Sequence, residues 1–383
     1  MPSSPGFLGT WFTTFGPLTL VPGDGGQLSG SYRFGTSNGE LSGRVEGGEL
    51  RFRYRDASDS GAGTFRLVRP GHFIGHYKAK GSRHVRRWDG ERGLDGVWNT
   101  TFGPLRLVQE EGIVRGIYGH HADATLEGTL QGDGFSFTYA EPKASGEGSF
   151  RLVDGQLGFT GQWRPQGETE WKPWIGRRLA IDTGVTWLVV LEAHWQRDLA
   201  EPEYSFGNML REVFARRSGV RVRHRYFHDA ASLEAWCKQL VFLPEPAVVV
   251  IASHGTPEGL TIRGQLIDTG KIMQCMEHAQ AVRLLHFSSC LVAQDGAVTL
   301  ANRSFPVSGY STSVDWGASA MLEFTYLDMI LNRGWAAQDA AAVLPRIVKY
   351  AGDKAPPGSP YPPAGFRFFP ARSEAAPGSD PAA

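Results

Sequence analysis

GTWFTTFGPLTLV, residues 9–21, recurs as GVWNTTFGPLRLV at 96–108, and identity this dense marks an internal duplication. The parallel continues through Gly30-Ser-Tyr32 against Gly116-Ile-Tyr118, Phe65-Arg-Leu-Val68 against Phe150-Arg-Leu-Val153, and Gly75-His-Tyr77 against Gly161-Gln-Trp163. Each copy therefore covers roughly 85 residues. Within the copies, runs such as Glu49-Leu-Arg-Phe-Arg-Tyr54 and Gly134-Phe-Ser-Phe-Thr-Tyr139 alternate with period two, the pattern of strands buried on one face. Gly-containing breaks separate the runs and no helical period intervenes. An up-and-down meander closed into a small barrel is predicted for 1–92 and again for 93–179, with closure removing the exposed edges.

The opening of each copy, with its Gly-x-Trp start and the Leu28-x-Gly30-x-Tyr32 after the first turn, resembles the first hairpin of avidin- and lipocalin-like barrels. The likeness covers about a third of each copy. The polar ligand-binding positions of the avidin family are not matched residue by residue, so biotin binding is not carried over. Trp11, Tyr32, Trp98 and Tyr118 are expected as barrel core or plug residues, by the usual burial of aromatics, with recognition of a ligand or target as the rival role. His120-His121-x-Asp123 falls in a predicted turn without a third well-spaced ligand and is read as solvated. No metal and no cofactor is expected.

The 383 residues exceed one typical core, so several domains are expected, and a hydrophobic content of 41% is enough to pack them. Basic and acidic residues balance at 39 each, which leaves no net charge to argue for nucleic acid as a partner. The three cysteines, Cys237, Cys275 and Cys290, have no metal-ligand spacing and favour a reducing compartment. No basic segment followed by an apolar run opens the chain, and no stretch approaches the ~18 apolar residues of a spanning helix. The expectation is a soluble cytoplasmic protein without a membrane span.

After residue 180 the pattern changes. Apolar runs of strand length at Thr186–Leu191, Val220–His224, Ala247–Ala252 and Val282–Phe287 alternate with helical spacings at Phe206–Ala215 and Ala231–Leu240. A fifth strand around Pro306–Tyr310 precedes a helix from about Ala318 to Leu331. Such alternation predicts an α/β domain over 180–353 with a mostly parallel sheet covered on both faces. Function in such sheets concentrates at the C-terminal strand ends. His254 follows Val248-Val-Val-Ile-Ala-Ser253, and Cys290 follows Leu284-Leu-His-Phe-Ser-Ser289.

A thiolate attacks carbonyl carbon, and an imidazole within reach can take the thiol proton and return it to the leaving amine. Cys290 is therefore the candidate nucleophile and His254 its base. Gly255, lacking a Cβ, lets backbone approach a substrate, and its N–H and that of Cys290 are the candidate oxyanion hole. Cys237 and Cys275 lie in helical stretches and read as structural, and His286 as a hydrogen-bonded core histidine. Ser311 in Gly309-Tyr-Ser-Thr-Ser313 lacks the second glycine of a hydrolase elbow.

Asn208–Phe214 with Gly219–His224, then Ala252-Ser-His-Gly-Thr-Pro-Glu-Gly-Leu260, then Phe287-Ser-Ser-Cys290, resemble in order the first helix and second strand, the His-Gly segment and the nucleophile strand end of the caspase fold. The resemblance spans residues 183–352 and implies a cysteine peptidase of the clan of caspases, metacaspases, separases and bacterial CHAT domains, with a Cys/His dyad and a protein or peptide substrate. The animal caspase signature is absent, Ser288-Ser-Cys-Leu-Val292 standing in its stead, and the 36 residues from His254 to Cys290 are fewer than the ~50 of caspases. Asp specificity is therefore not carried over. Relatives that cleave after Arg or Lys line their pocket with an acid, for which Asp315 and Glu192 are the candidates; the rival role for Asp315 is a helix N-cap. The tandem barrels are then expected to serve targeting or sensing, with an activating partner or ligand bound there; a rival from another class is a catalytically silent caspase-like scaffold whose barrels recognise a ligand or partner. The stretch 354–383, rich in Pro, Gly, Ser and Ala, is expected to be a disordered or loosely docked tail, with Arg367 and Arg372 as candidate processing sites if specificity is basic.

Overall fold

In Glu49–Asp56 the side chains of Leu50, Phe52 and Tyr54 are buried while Arg51, Arg53 and Arg55 face solvent, and Gly134–Ala140 repeats the pattern with Phe135, Phe137 and Tyr139. Strands of this kind form the first of two compact units, which meet after Gly184 in the computed structural model. The structure describes residues 6–132, 134–196, 200–201, 204–294 and 303–372.

The first unit holds two closed eight-stranded antiparallel barrels. In the first, seven strands run as a meander from Gly9–Thr13 to His72–Ala79, and the short strand Gly90–Glu91 closes the ring by pairing with both of those. In the second, Gly96–Thr100 closes against Lys172–Arg178, with Trp98 opposite Arg178. The interiors are packed with rings. Phe15, Tyr32, Phe52, Phe65 and Tyr77 surround the buried Trp88, and Phe102, Tyr118, Phe137 and Phe150 surround Trp174. Glycine makes room for them: a Cβ on Gly63 would stand 2.5 Å from Phe52, and one on Gly148 2.4 Å from Phe137.

Each barrel is plugged in the same way. Trp11 Nε1 donates to Phe7 O at 2.8 Å beneath the Arg92 guanidinium, 4.2 Å from the ring centre, and Arg92 also donates to Leu8 O and Gly6 O. Trp98 Nε1 donates to Leu94 O at 3.1 Å beneath Arg178, 4.3 Å away, which donates to Asp95 O and Gly93 O. The duplication thus preserves a cation–π contact as well as a sequence.

A buried ionic seam joins the barrels. Arg69 pairs with Asp95 at 2.8 Å, and Arg106 with Glu91, beside which His72 Nδ1 lies at 3.8 Å. Burial pushes Glu91 up, but Arg106, His72 and Arg178 together outweigh it and hold the carboxyl below its ordinary range. Burial pushes the His72 imidazole down to about 3. Because that lies below the unfolded value near 6.5, the unfolded chain takes up a proton that the folded one refuses. Stability is full above about 6.5 and falls as the pH drops toward 3. At pH 5 the loss is about 2 kcal/mol, or roughly 4–8 °C in the melting of the barrel unit. Calorimetry at pH 7.5 and 5.0 is expected to show that drop, and a His72→Gln chain a clearly smaller one.

The second unit is a six-stranded mixed sheet in the order Val220–Phe227, Thr186–Ala193, Ala247–Ala252, Val282–Ser288, Val307–Tyr310 and Phe366–Phe369. The first five strands are parallel and the last is antiparallel. One face packs on the helices Ala230–Gln239 and Thr269–Cys275. The other packs on Phe206–Phe214, Trp316–Leu331 and Ala337–Ile347. Ala247–Ala252 is buried at every position, as a central strand covered on both sides must be. No helix among the described residues is long and apolar enough to cross a membrane.

Two features differ from the sequence reading. His254–Thr256, Gly259–Ile262 and Gln265–Asp268 form a separate three-stranded antiparallel sheet, from runs too short to show a period. The expected tail contributes the edge strand Phe366–Phe369, in which Arg367 pairs with Asp353 at 2.7 Å, and Arg372 N donates to Arg303 O. Three phenylalanines in four residues outweigh the surrounding Pro and Gly.

Candidate active site

The strands Ala247–Ala252 and Val282–Ser288 are neighbours in the sheet, with Ala252 opposite Ser288. His254 and Cys290 each lie two residues beyond that pair, past the ends of strands that parallel pairing holds about 4.8 Å apart. The ends are tied together: Ser253 N donates to Ser289 Oγ at 3.2 Å, and the two hydroxyl oxygens lie 3.4 Å apart. His254 then opens the small antiparallel sheet and stays exposed. Leu291 adopts φ +64°, a left-handed conformation unusual for a branched side chain, which turns the chain sharply just after Cys290. Leu291 N donates to Thr312 O at 3.1 Å, fixing that turn to the segment after Val307–Tyr310.

The half-buried Cys290 sulfur meets this segment directly. Val314 N donates to Sγ at 3.4 Å, and Ser313 Oγ lies 3.9 Å from it. Neither contact was visible in the sequence, because Ser313 and Val314 follow Cys290 by more than twenty residues. Burial raises the thiol pKa of both Cys237 and Cys275. Unreactive thiols fit the structural role read for them.

Gly255 lies against the Cys290 backbone: a Cβ there would stand 2.1 Å from Cys290 O and 2.8 Å from Val292. The absence of a side chain is thus a packing requirement. A Gly255→Ala chain is expected to lose about 1–3 kcal/mol of stability by overpacking, measured by thermal melting, together with at least tenfold of any Cys290-dependent activity, because the displaced atoms belong to Cys290.

The two acids proposed for substrate differ. Glu192 is completely buried. Its carboxylate accepts from Ser205 Oγ at 2.6 Å, from Phe206 N at 2.7 Å, from Gly207 N at 3.0 Å and from Trp195 Nε1 at 2.7 Å, and His224 Nε2 lies 2.7 Å away. Burial pushes its pKa up, but these hydrogen bonds together hold it below the ordinary range. Glu192 anchors the N-terminus of the helix Phe206–Phe214 and is withdrawn as a substrate residue, since no lone pair of it faces solvent. Asp315 is exposed and caps Trp316–Leu331, accepting from Ala318 N at 3.0 Å. His286 is a core histidine, with Nδ1 2.9 Å from Ser308 Oγ and Nε2 3.3 Å from Glu323, all fully buried. Ser311 Oγ donates to Gly365 O at 2.9 Å.

Sequence reasoning missed Trp195, whose ring meets the His254 imidazole edge to face at 5.0 Å between centres.

No protein family model and no curated protein matches the chain. Among solved structures, a double mutant of the vaccine antigen transferrin binding protein B from Haemophilus parasuis Hp5 aligns at 7% identity and a TM-score of 0.18, over 42% of this chain and 52% of that one. The chain thus spans about half the length of that protein. A superposition so loose carries no argument about either unit.

Proposed function

We propose that the second unit is a cysteine endopeptidase of caspase-like type, with Cys290 as nucleophile and His254 as base. The observation that supports it is the strand register: Ala252 opposite Ser288 brings a histidine and a cysteine to the same level at adjoining C-terminal strand ends. His254 takes the thiol proton as Sγ bonds to the scissile carbonyl carbon. The oxyanion so formed faces the N–H groups of Cys290 and Gly255. Collapse breaks the C–N bond, the leaving amine receives the proton from His254, and a thioester remains. Water, deprotonated by His254, attacks the thioester carbonyl and releases the acid and the thiol.

The test is turnover of a fluorogenic peptide library by the full chain, with a peptidyl electrophile located by mass spectrometry. Hydrolysis with the label on Cys290, and not on Cys237 or Cys275, is the expected result. No turnover and an unlabelled Cys290 would overturn the reading in favour of a silent scaffold that binds through its barrels. Their interiors are filled with rings, so such binding would use outer faces.

A further inference from the structure

A chain of rings links the element carrying the base to the element holding the sulfur. Trp195 meets His254 at 5.0 Å and faces Tyr204 at 6.3 Å, and Tyr204 meets Trp316 edge on at 5.9 Å. Trp316 opens the helix that begins two residues after Val314, whose N–H is on the Cys290 sulfur. Trp195 is fixed by its hydrogen bond to Glu192, and Tyr204 by Gln196 Nε2, which donates to its carbonyl at 3.0 Å. Despite this support the outer rings stay open, Tyr204 at 40% and Trp316 at 42% of their area. Contiguous exposed aromatics on fixed backbone are the composition of a recognition surface.

Resting on the hydrolase reading, we propose that Trp195, Tyr204 and Trp316 form the subsite for a large apolar or aromatic side chain next to the scissile bond. A cationic side chain fits less well. The carboxylate of Glu192 is buried and fully engaged, and that of Asp315 sits on the positive end of a helix, which it already caps. A guanidinium would give up hydration there for a carboxylate whose field the helix opposes. A phenyl or isobutyl group gives up nothing comparable and buries apolar area against three rings.

The experiment measures kcat/KM of the full chain on peptides carrying Phe, Leu, Ala, Asp or Arg before the bond, and in a second series after it. In one series the phenylalanyl and leucyl peptides are expected to exceed the alanyl peptide by about tenfold or more, the scale of one filled apolar contact. Trp316→Ala and Tyr204→Ala, both at exposed positions, should raise KM for the phenylalanyl and leucyl peptides far more than for the alanyl peptide and so remove most of that preference. Preference for Arg that disappears in Asp315→Asn overturns the proposal, as does preference for Asp, or a Trp316→Ala chain that loses all peptides equally. A chain that hydrolyses nothing and takes no label at Cys290 removes the hydrolase reading itself, and the subsite falls with it.

Discussion

Cys290→Ala is expected to abolish peptide hydrolysis, by about 10⁴-fold or more, and His254→Ala to lower it by about 10²–10⁴-fold, with neither chain changing its melting temperature appreciably. The first loss is the larger because the acyl intermediate of the proposed mechanism forms on the Cys290 sulfur, and neither of the other two thiols is placed to replace it. Cys237 is fully buried, and Cys275, although half-exposed, lies on a helix covering one sheet face, away from the strand ends. The second is smaller because the attacking sulfur itself is retained once the base is gone. The folding prediction follows from exposure: His254 lies at the surface and Cys290 is half-buried, so truncation leaves no large cavity. Single-turnover kinetics with equilibrium melting checks both halves. A Cys290→Ala chain that retains most of its activity refutes the mechanism. One that fails to fold shifts the measurement to Cys290→Ser, which keeps the shape.

Glu192→Ala is expected to be the most destabilising single change in the second unit, by about 3–5 kcal/mol, because it strips several buried donors at once. Ser205 Oγ, the N–H groups of Phe206 and Gly207, Trp195 Nε1 and His224 all lose their acceptor. Glu192→Gln keeps the volume and part of the bonding, and is expected to cost about 1–3 kcal/mol. Since the folded pKa of Glu192 lies below its unfolded value near 4.5, its contribution is full above about 4.5 and fades only as the pH falls through the folded value. Urea unfolding of the three chains at pH 7 measures the differences. If Glu192 instead bound substrate, Glu192→Gln would fold as well as wild type and change only the preferred peptide.

The fold was legible where local signals repeat. The duplicated GTWFTTFGPLTLV stretch and the period-two runs are enough to expect two barrels, since a strand buried on one face needs alternation over only a few residues. The runs Thr186–Leu191 and Ala247–Ala252 are apolar without alternation, which separates a covered parallel sheet from a barrel wall. His254 and Cys290 were legible as strand-end residues for the same reason. What escaped depends on partners distant in sequence. Glu192 looks like any acid after a strand until the helix at 206 folds back on it. The rings Trp195, Tyr204 and Trp316 share no period, and only the fold brings them side by side. Phe366–Phe369 is a four-residue strand inside a Pro- and Gly-rich stretch, where composition misleads.

That strand has a consequence for when the site can exist. Gly365 O, at its start, accepts from both Ser311 N and Ser311 Oγ, and Pro363 O accepts from Thr312 Oγ1 at 3.1 Å. Ser311 and Thr312 lead directly into Ser313 and Val314, the residues in contact with the sulfur. During synthesis, therefore, the barrels and the first five strands can fold while the thiol is still loosely held. The sulfur's surroundings close only once residues 363–369 have left the ribosome. A ribosome-stalled chain ending before Pro363 would carry His254 and Cys290 without the brace behind Ser311 and Thr312.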